Sequence, residues 1–220
     1  PKTLGGLPVN YVVLDDASDP SAASKNARRF ADADKVDAII GSTTVPTSMA
    51  IAEVANEARI PQIALAPFPP KQVQWIFPIP HGVGVMASAL FDEMKKHDTK
   101  TLGFIGFNDP YGEDWLKQIT AATEAAGIKL VAVERYNRVD TSVSGQVRKL
   151  VAAKPDAVMV AGSGTPAALP RTTVVERGYK GQIYGTHAAA NKEFLKVGGK
   201  AVEGGILPIG PVAVAAQLPD

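Results

Sequence analysis

Serine and histidine are the first side chains to weigh for chemistry. Ser163 lies in Ala161-Gly162-Ser163-Gly164 just past an apolar run, and His187 lies in Thr186-His187-Ala188 past another. A serine nucleophile on a strand-to-helix elbow reads Gly-x-Ser-x-Gly and needs a base oriented by a carboxylate. Here the first glycine of that elbow is absent and no acid is placed to orient His187, which disfavours acyl transfer. His81, His97 and His187 have no metal-ligand spacing and the chain has no cysteine, so neither a metal nor a cofactor is expected. Gly162-Ser163-Gly164-Thr165-Pro166-Ala167 fits the dinucleotide pattern Gly-x-Gly-x-x-Ala. That fingerprint wants an acid about 20 residues on for the ribose, and residues 182–186 carry none. Nucleotide binding and hydrolysis both recede. What remains is capture of a ligand by hydroxyls and backbone amides.

The stretch 38–55 is built for that. Ala38-Ile39-Ile40 ends at Gly41, passes through Ser42-Thr43-Thr44-Val45-Pro46, and enters a helical pattern with apolar residues at 51, 54, 55 and 58. A helix start reached through hydroxyl residues presents unpaired N–H groups and a positive dipole end, which suit a carboxylate or phosphate. Read alone, the same hydroxyls do no more than cap the helix. A second copy changes the weighing: Asp37-Ala38-Ile39-Ile40-Gly41-Ser42 recurs as Asp156-Ala157-Val158-Met159-Val160-Ala161-Gly162-Ser163, and Asp19 before one helix is matched by Asp140 before another. Strand, helix, strand, Gly-Ser turn, helix and strand occur twice, over about 9–65 and 130–185, which marks two like-folded units.

Those turns need strands and helices to hold them. Strands are expected at 9–14, 37–41, 60–66, 101–107, 128–134, 156–161 and 182–185. Helices are expected from Asp19-Pro20, from Pro46 to Arg59, from Gly82-Gly84 to Lys96, from Asp109-Pro110 to Gly127, at 142–153, and from Thr165 to Arg177. Asp-Pro is a cap followed by proline in the first turn, and Gly127 is a C′ glycine. The first helix is expected to bury Ala23, Ala27 and Phe30, and the third to use Val85, Ala89 and Met94. Residues 75–80 and 203–209 read as crossings between two lobes. Strands alternating with helices give an α/β protein with mostly parallel sheets, in which ligands sit outside the carboxyl ends of the strands. The expected strand-end turns are 42–48, 64–70, 107–112, 162–166 and 186–190, lining a cleft.

The 220 residues carry 45% hydrophobic and 20% charged side chains, with a formal net charge of +1. That is ordinary globular composition, and without a basic stripe nucleic acid is not an expected partner. No apolar run approaches the roughly 18 residues of a membrane span. Pro1-Lys2-Thr3-Leu4-Gly5-Gly6 is unlike a natural start, which leaves room for a preceding targeting segment.

With these residues in view, the sequence resembles the leucine/isoleucine/valine-type solute-binding proteins of ABC transporters, the type I periplasmic-binding-protein clamshell. The carriers are Asp15-Asp16…Asp19-Pro20, Gly41-Ser42-Thr43-Thr44, Asn56-Glu57-Ala58-Arg59-Ile60-Pro61, Gly106-Phe107-Asn108-Asp109-Pro110-Tyr111-Gly112, Pro155-Asp156-Ala157-Val158, Gly162-Ser163-Gly164-Thr165 and Val202-Glu203-Gly204-Gly205. The resemblance implies two Rossmann-like lobes: residues 1–79, lacking the family's first strand and helix, then 80–205, with 206–220 crossing back. An incomplete first lobe is expected to be poorly stable and to weaken binding. It further implies a periplasmic or other extracytoplasmic protein, not an enzyme, that captures a small carboxylate or amino acid and hands it to an ABC permease in the membrane. Ser42, Thr43, Thr44, Val45, Ala64, Ala66 and Phe68 would contribute from the first lobe, and Asn108, Tyr111, Ser163, Thr165 and His187 from the second. Amino-acid-binding relatives often carry an acid at the position of His187 to pair with the ligand ammonium. An unpaired buried ammonium is costly, so a carboxylate without an amine, aromatic or otherwise, is the preferred ligand. Asp109 is the alternative partner for an ammonium, which keeps a branched-chain or other amino acid open. A ligand-sensing domain of a receptor or regulator is the remaining reading.

Overall fold

The structure, a computed structural model, describes residues 2–71 and 74–217. Residues 218–220, the end of the expected back-crossing, lie outside the described residues. The chain divides into two compact units, Pro1–Pro80 and His81–Asp220.

The first unit opens with a short antiparallel pair, β1 (Thr3–Leu4) and β2 (Leu7–Pro8), followed by α1 (Pro20–Arg29). Asp19 caps α1 by accepting the Ala22 N–H at 2.7 Å, with Pro20 in the first turn. Ala23 and Ala27 are buried as expected, but Phe30 is only half-buried. The helix widens there into one π-helical turn, Phe30–Asp34, which displaces the third member of the i, i+4, i+7 row. β3 (Ile39–Ile40), α2 (Val45–Ala58), β4 (Gln62–Ala64) and β5 (Ile76–Pro78) follow. The three strands form a parallel sheet in the order β3-β4-β5. Residues 76–78, expected as a crossing, therefore supply a third strand. The strand expected at 9–14 is a correction, since no ladder forms there among the described residues. The segment keeps a strand's alternation, with Val12, Leu14 and Asp16 half-buried and Val13 86% exposed. Period-two patterning marks which face turns inward, but a strand also needs a neighbour to accept and donate its ladder bonds.

In the second unit, α3 (Val83–Lys96) leads to β6 (Thr101–Phe107), α4 (Pro110–Ala126), β7 (Lys129–Tyr136), α5 (Ser144–Ala152) and β8 (Ala157–Ala161). Then come a 3₁₀ turn at Thr165–Ala167, α6 (Ala168–Glu176), β9 (Gln182–Gly185), a second 3₁₀ turn at His187–Ala189 and α7 (Lys192–Gly198). All four strands are parallel, in the order β7-β6-β8-β9. All five residues of β8 are buried, the continuous apolar run expected of a strand covered on both faces. The buried row of α3 is Val83, Met86, Ala87, Leu90, Phe91 and Met94. Val85 and Ala89, expected inside, are exposed, because the row starting at Val83 holds the larger side chains. The helix expected from Thr165 to Arg177 is broken into its 3₁₀ start and α6, and the strand expected at 128–134 runs on to Tyr136.

Residues 203–209, read as a crossing, lie against the free edge of β9. Ile206 bridges Tyr184, with the Gly185 N–H donating to the Ile206 carbonyl at 2.9 Å. Arg171, 5% exposed, pins this return: its guanidinium donates to the carbonyls of Ala201, Ile183 and Glu203 at 2.9, 3.2 and 3.1 Å. Burial lowers its pKa, and the three carbonyls stand in for the carboxylate that a buried arginine usually has. After β6 the chain moves to one side of that strand and then returns to β8 on the other. The carboxyl ends of β6 and β8 therefore form the point where connections diverge, the usual ligand crevice of an open parallel sheet.

Candidate functional site

In the first unit the Gly-Ser turn is tied to its own neighbourhood. Gln62 is fully buried on β4, and its Nε2 donates to the Gly41 carbonyl at 2.8 Å and to the Ser48 carbonyl at 3.1 Å. The Ser48 hydroxyl donates to the Ser42 carbonyl at 2.6 Å, and the Leu65 N–H reaches the same carbonyl at 3.2 Å. Thr44 is the N-cap of α2 in extended conformation, yet its hydroxyl shares a 2.6 Å hydrogen bond with that of Thr47 and caps no N–H. The first-turn amides of α2 are left without a side-chain cap. The Ser42 and Thr43 hydroxyls have no hydrogen bond among the described residues, and Thr43 is exposed. Val45, Ala64, Ala66 and Phe68 are buried behind this turn.

In the second unit the corresponding turn is tied across elements. Asp109 caps α4: Oδ1 accepts the N–H groups of Tyr111 and Gly112 at 2.9 and 3.1 Å. A Cβ on Gly112 would lie 1.9 Å from the Phe107 carbonyl oxygen, so glycine is what lets this helix start seat on the end of β6. The other Asp109 oxygen, Oδ2, accepts from Arg138 Nε at 2.6 Å. Arg138 Nη1 donates to the Ser163 hydroxyl at 3.0 Å, and the guanidinium carbon stands 4.1 Å over the Phe107 ring. Four strand ends meet here, since Asp109 follows β6, Arg138 follows β7, Ser163 follows β8 and His187 follows β9. Asn108, Tyr111, Ser163, Thr165 and His187, the expected residues of this unit, lie on these strand-end turns. Asn108 and Thr165 are exposed, and Asn108 is held by its N–H to the Tyr136 carbonyl at 2.8 Å.

The Tyr111 ring is 3% exposed and lies 6.5 Å from the rings of both Trp115 and His187. Among the described residues its hydroxyl has no hydrogen-bond partner, and neither have Trp115 Nε1 and His187 Nδ1. Burial pushes the Tyr111 phenol up to about 12; the Thr186 hydroxyl and the Trp115 indole oppose that rise without reaching hydrogen-bond geometry. Thr186 instead donates to the Gly162 carbonyl at 2.6 Å. Burial, with His81 nearby, lowers the His187 pKa, so the imidazole is neutral at pH 7. Asp109, the alternative partner for an ammonium, has its charge balanced by Arg138 at Oδ2 while Oδ1 accepts two amides of α4. Arg138 and Trp115 were not singled out from the sequence. Among the described residues there is no cluster of three or more His, Asp or Glu side chains able to hold a metal, and no helix long and apolar enough to cross a membrane.

A sequence model described as periplasmic binding protein matches residues 2–219. The extracellular ligand-binding receptor of Rhodopseudomonas palustris HaA2 is 48% identical, with a TM-score of 0.97 over all of this chain and 62% of that one. The leucine-, isoleucine-, valine-, threonine-, and alanine-binding protein of Pseudomonas aeruginosa is 23% identical over 91% of this chain and 55% of its own. The leucine binding protein LivK of Thermotoga maritima, 24% identical over 94% of this chain and 60% of that one, shares the fold with a TM-score of 0.88. The chain thus spans less than two thirds of the length of each of these relatives.

Proposed function

The chain belongs to the periplasmic binding protein family, and from that membership we propose that it serves as the extracytoplasmic solute-binding part of an ABC importer, taking up a small carboxylate without chemical turnover. In the first unit the carboxylate is held by the Ser42 and Thr43 hydroxyls and the uncapped amides at the start of α2, with Thr44, Val45, Ala64, Ala66 and Phe68 shaping the turn. In the second unit Asn108, Tyr111, Ser163, Thr165 and His187 contribute. An ABC permease in the membrane receives the solute.

The observation that carries the preference for a carboxylate without an amine is the state of Asp109. It is the carboxylate of the second cluster, and its charge is already balanced by the Arg138 guanidinium while it accepts two α4 amides. Burial lowers the His187 pKa, and an imidazole offers no negative charge in either form. An ammonium placed there would be desolvated beside a guanidinium that already holds the local carboxylate, which is costly. An amino-acid reading has its own support in the Pseudomonas aeruginosa relative, which is named for binding leucine, isoleucine, valine, threonine and alanine.

A thermal-shift screen separates the two. A solute that binds the folded state raises the melting temperature by mass action. Millimolar benzoate or an aliphatic monocarboxylate is expected to stabilise the protein and leucine to leave it unchanged. Stabilisation by leucine alone would replace the carboxylate reading with the amino-acid one.

A further inference from the structure

Arg138 has a role that the strand-end turns alone do not assign. It is three-quarters buried as a side chain, seated on the Phe107 ring and fixed at Nε by Asp109 and at Nη1 by Ser163. Its Nη2 has no hydrogen bond among the described residues, so a pre-oriented, charged donor is left over. Ser163 accepts from Arg138 through its oxygen, which frees its own hydroxyl hydrogen to donate. Close by are the unpartnered Tyr111 hydroxyl and Trp115 indole N–H, both on side chains more than nine-tenths buried. The nearby carboxylates already have partners: Asp109 is paired with Arg138, Asp140 holds Asn137, and Glu113 is paired with Arg135. What the cluster holds in excess is donors.

Resting on the solute-binding reading above, we propose that Arg138 is a specificity-determining residue of the second unit that reads a second oxygen acceptor on the solute, a carboxyl, oxo or hydroxyl group other than its first carboxylate. Planar guanidinium N–H groups pair with carboxylate and carbonyl oxygens in fixed geometry. A buried polar site built this way rejects an analogue that lacks the oxygen, because its donors are then left unpaired.

The test is calorimetric titration of the protein with benzoate, 4-hydroxybenzoate, terephthalate and leucine. In the unmodified protein the oxygen-bearing acids are expected to bind about tenfold or more tightly than benzoate, a difference of about 1.4 kcal/mol. Arg138→Leu is expected to erase that preference, the two oxygen-bearing acids then binding no more tightly than benzoate. Should loss of the Asp109 ion pair unfold that variant, the double substitution Asp109→Asn with Arg138→Gln keeps a neutral hydrogen-bonded pair and serves the same comparison. Arg138→Lys, which retains charge but loses the planar fork, is expected to keep only part of the preference. An unmodified protein without the preference, or a folded variant that retains it, overturns the role of Arg138 while leaving solute binding intact. Binding of leucine with none of the three acids overturns the carboxylate reading as well.

Discussion

The two Gly-Ser turns begin from nearly the same sequence and are stabilised in opposite ways. At Gly41-Ser42 the polar groups close on each other: Ser48 on Ser42, Thr47 on Thr44, and a buried Gln62 on both the turn and the helix it enters. At Gly162-Ser163 the ties come from elsewhere in the sheet, through an arginine at the end of β7, two strands over, a capping aspartate at the end of the intervening β6, and Thr186 at the end of β9. A locally closed turn leaves its outward hydroxyls and amides unengaged. A turn assembled from four strand ends brings charge and shape instead. The two turns share a frame, and residues from neighbouring strands make their surroundings different.

The contrast predicts where damage should be largest. Gln62→Leu removes the one side chain that satisfies two buried carbonyls at the first turn, at a cost of about 2–4 kcal/mol, measurable by denaturant unfolding. Asp109→Ala loses a helix cap and leaves Arg138 without its counter-charge. With the pair partly solvated, about 2 kcal/mol is expected, in the second unit alone, as local hydrogen exchange of α4 would report. If Gln62→Leu proved neutral, the first turn would not depend on that side chain.

Tyr111→Phe sharpens the comparison differently. It removes a hydroxyl that is buried and unpartnered, so stability is expected to hold or rise by up to about 1 kcal/mol, while carboxylate affinity falls. A loss of stability would mean that the hydroxyl has a structural partner in solution. Smallest is a pH effect from His187. Its folded pKa lies below the ordinary value of 6.5, so the unfolded chain takes up the proton first. Stability is therefore full above about pH 6.5 and declines as the pH falls towards the folded pKa. His187→Gln is expected to flatten that decline in thermal melts between pH 7 and 5, before the carboxylates titrate.

Much of this arrangement is legible in the residues. Asp109-Pro110 announces both a helix start and its cap, Gly127 its end, and the apolar runs 101–107 and 157–161 the central strands. The repeat is readable because the same strand-turn-helix has to bury the same faces twice. Arg138 escapes because its importance depends on a register two residues beyond where the apolar pattern of β7 thins out. Arg135 and Tyr136 extend the ladder against Gly106 and Phe107, and only that extension carries Arg138 to the carboxyl end of the sheet. The alternation at 9–14 is likewise genuine patterning, and a ladder needs a partner that the segment's own sequence does not specify. For α3 the sequence holds two apolar rows, and packing against α4 goes with burial of the one from Val83.

The central claim, that this chain captures a small carboxylate at its strand-end turns, is tested most directly by titrating benzoate into the isotope-labelled protein and following backbone amide shifts. The account predicts saturable shifts at the amides of those turns, Ser42–Val45 in the first unit and Tyr111, Ser163 and His187 in the second. Unmoved amides at these turns, or shifts confined to residues away from the strand ends, would contradict it.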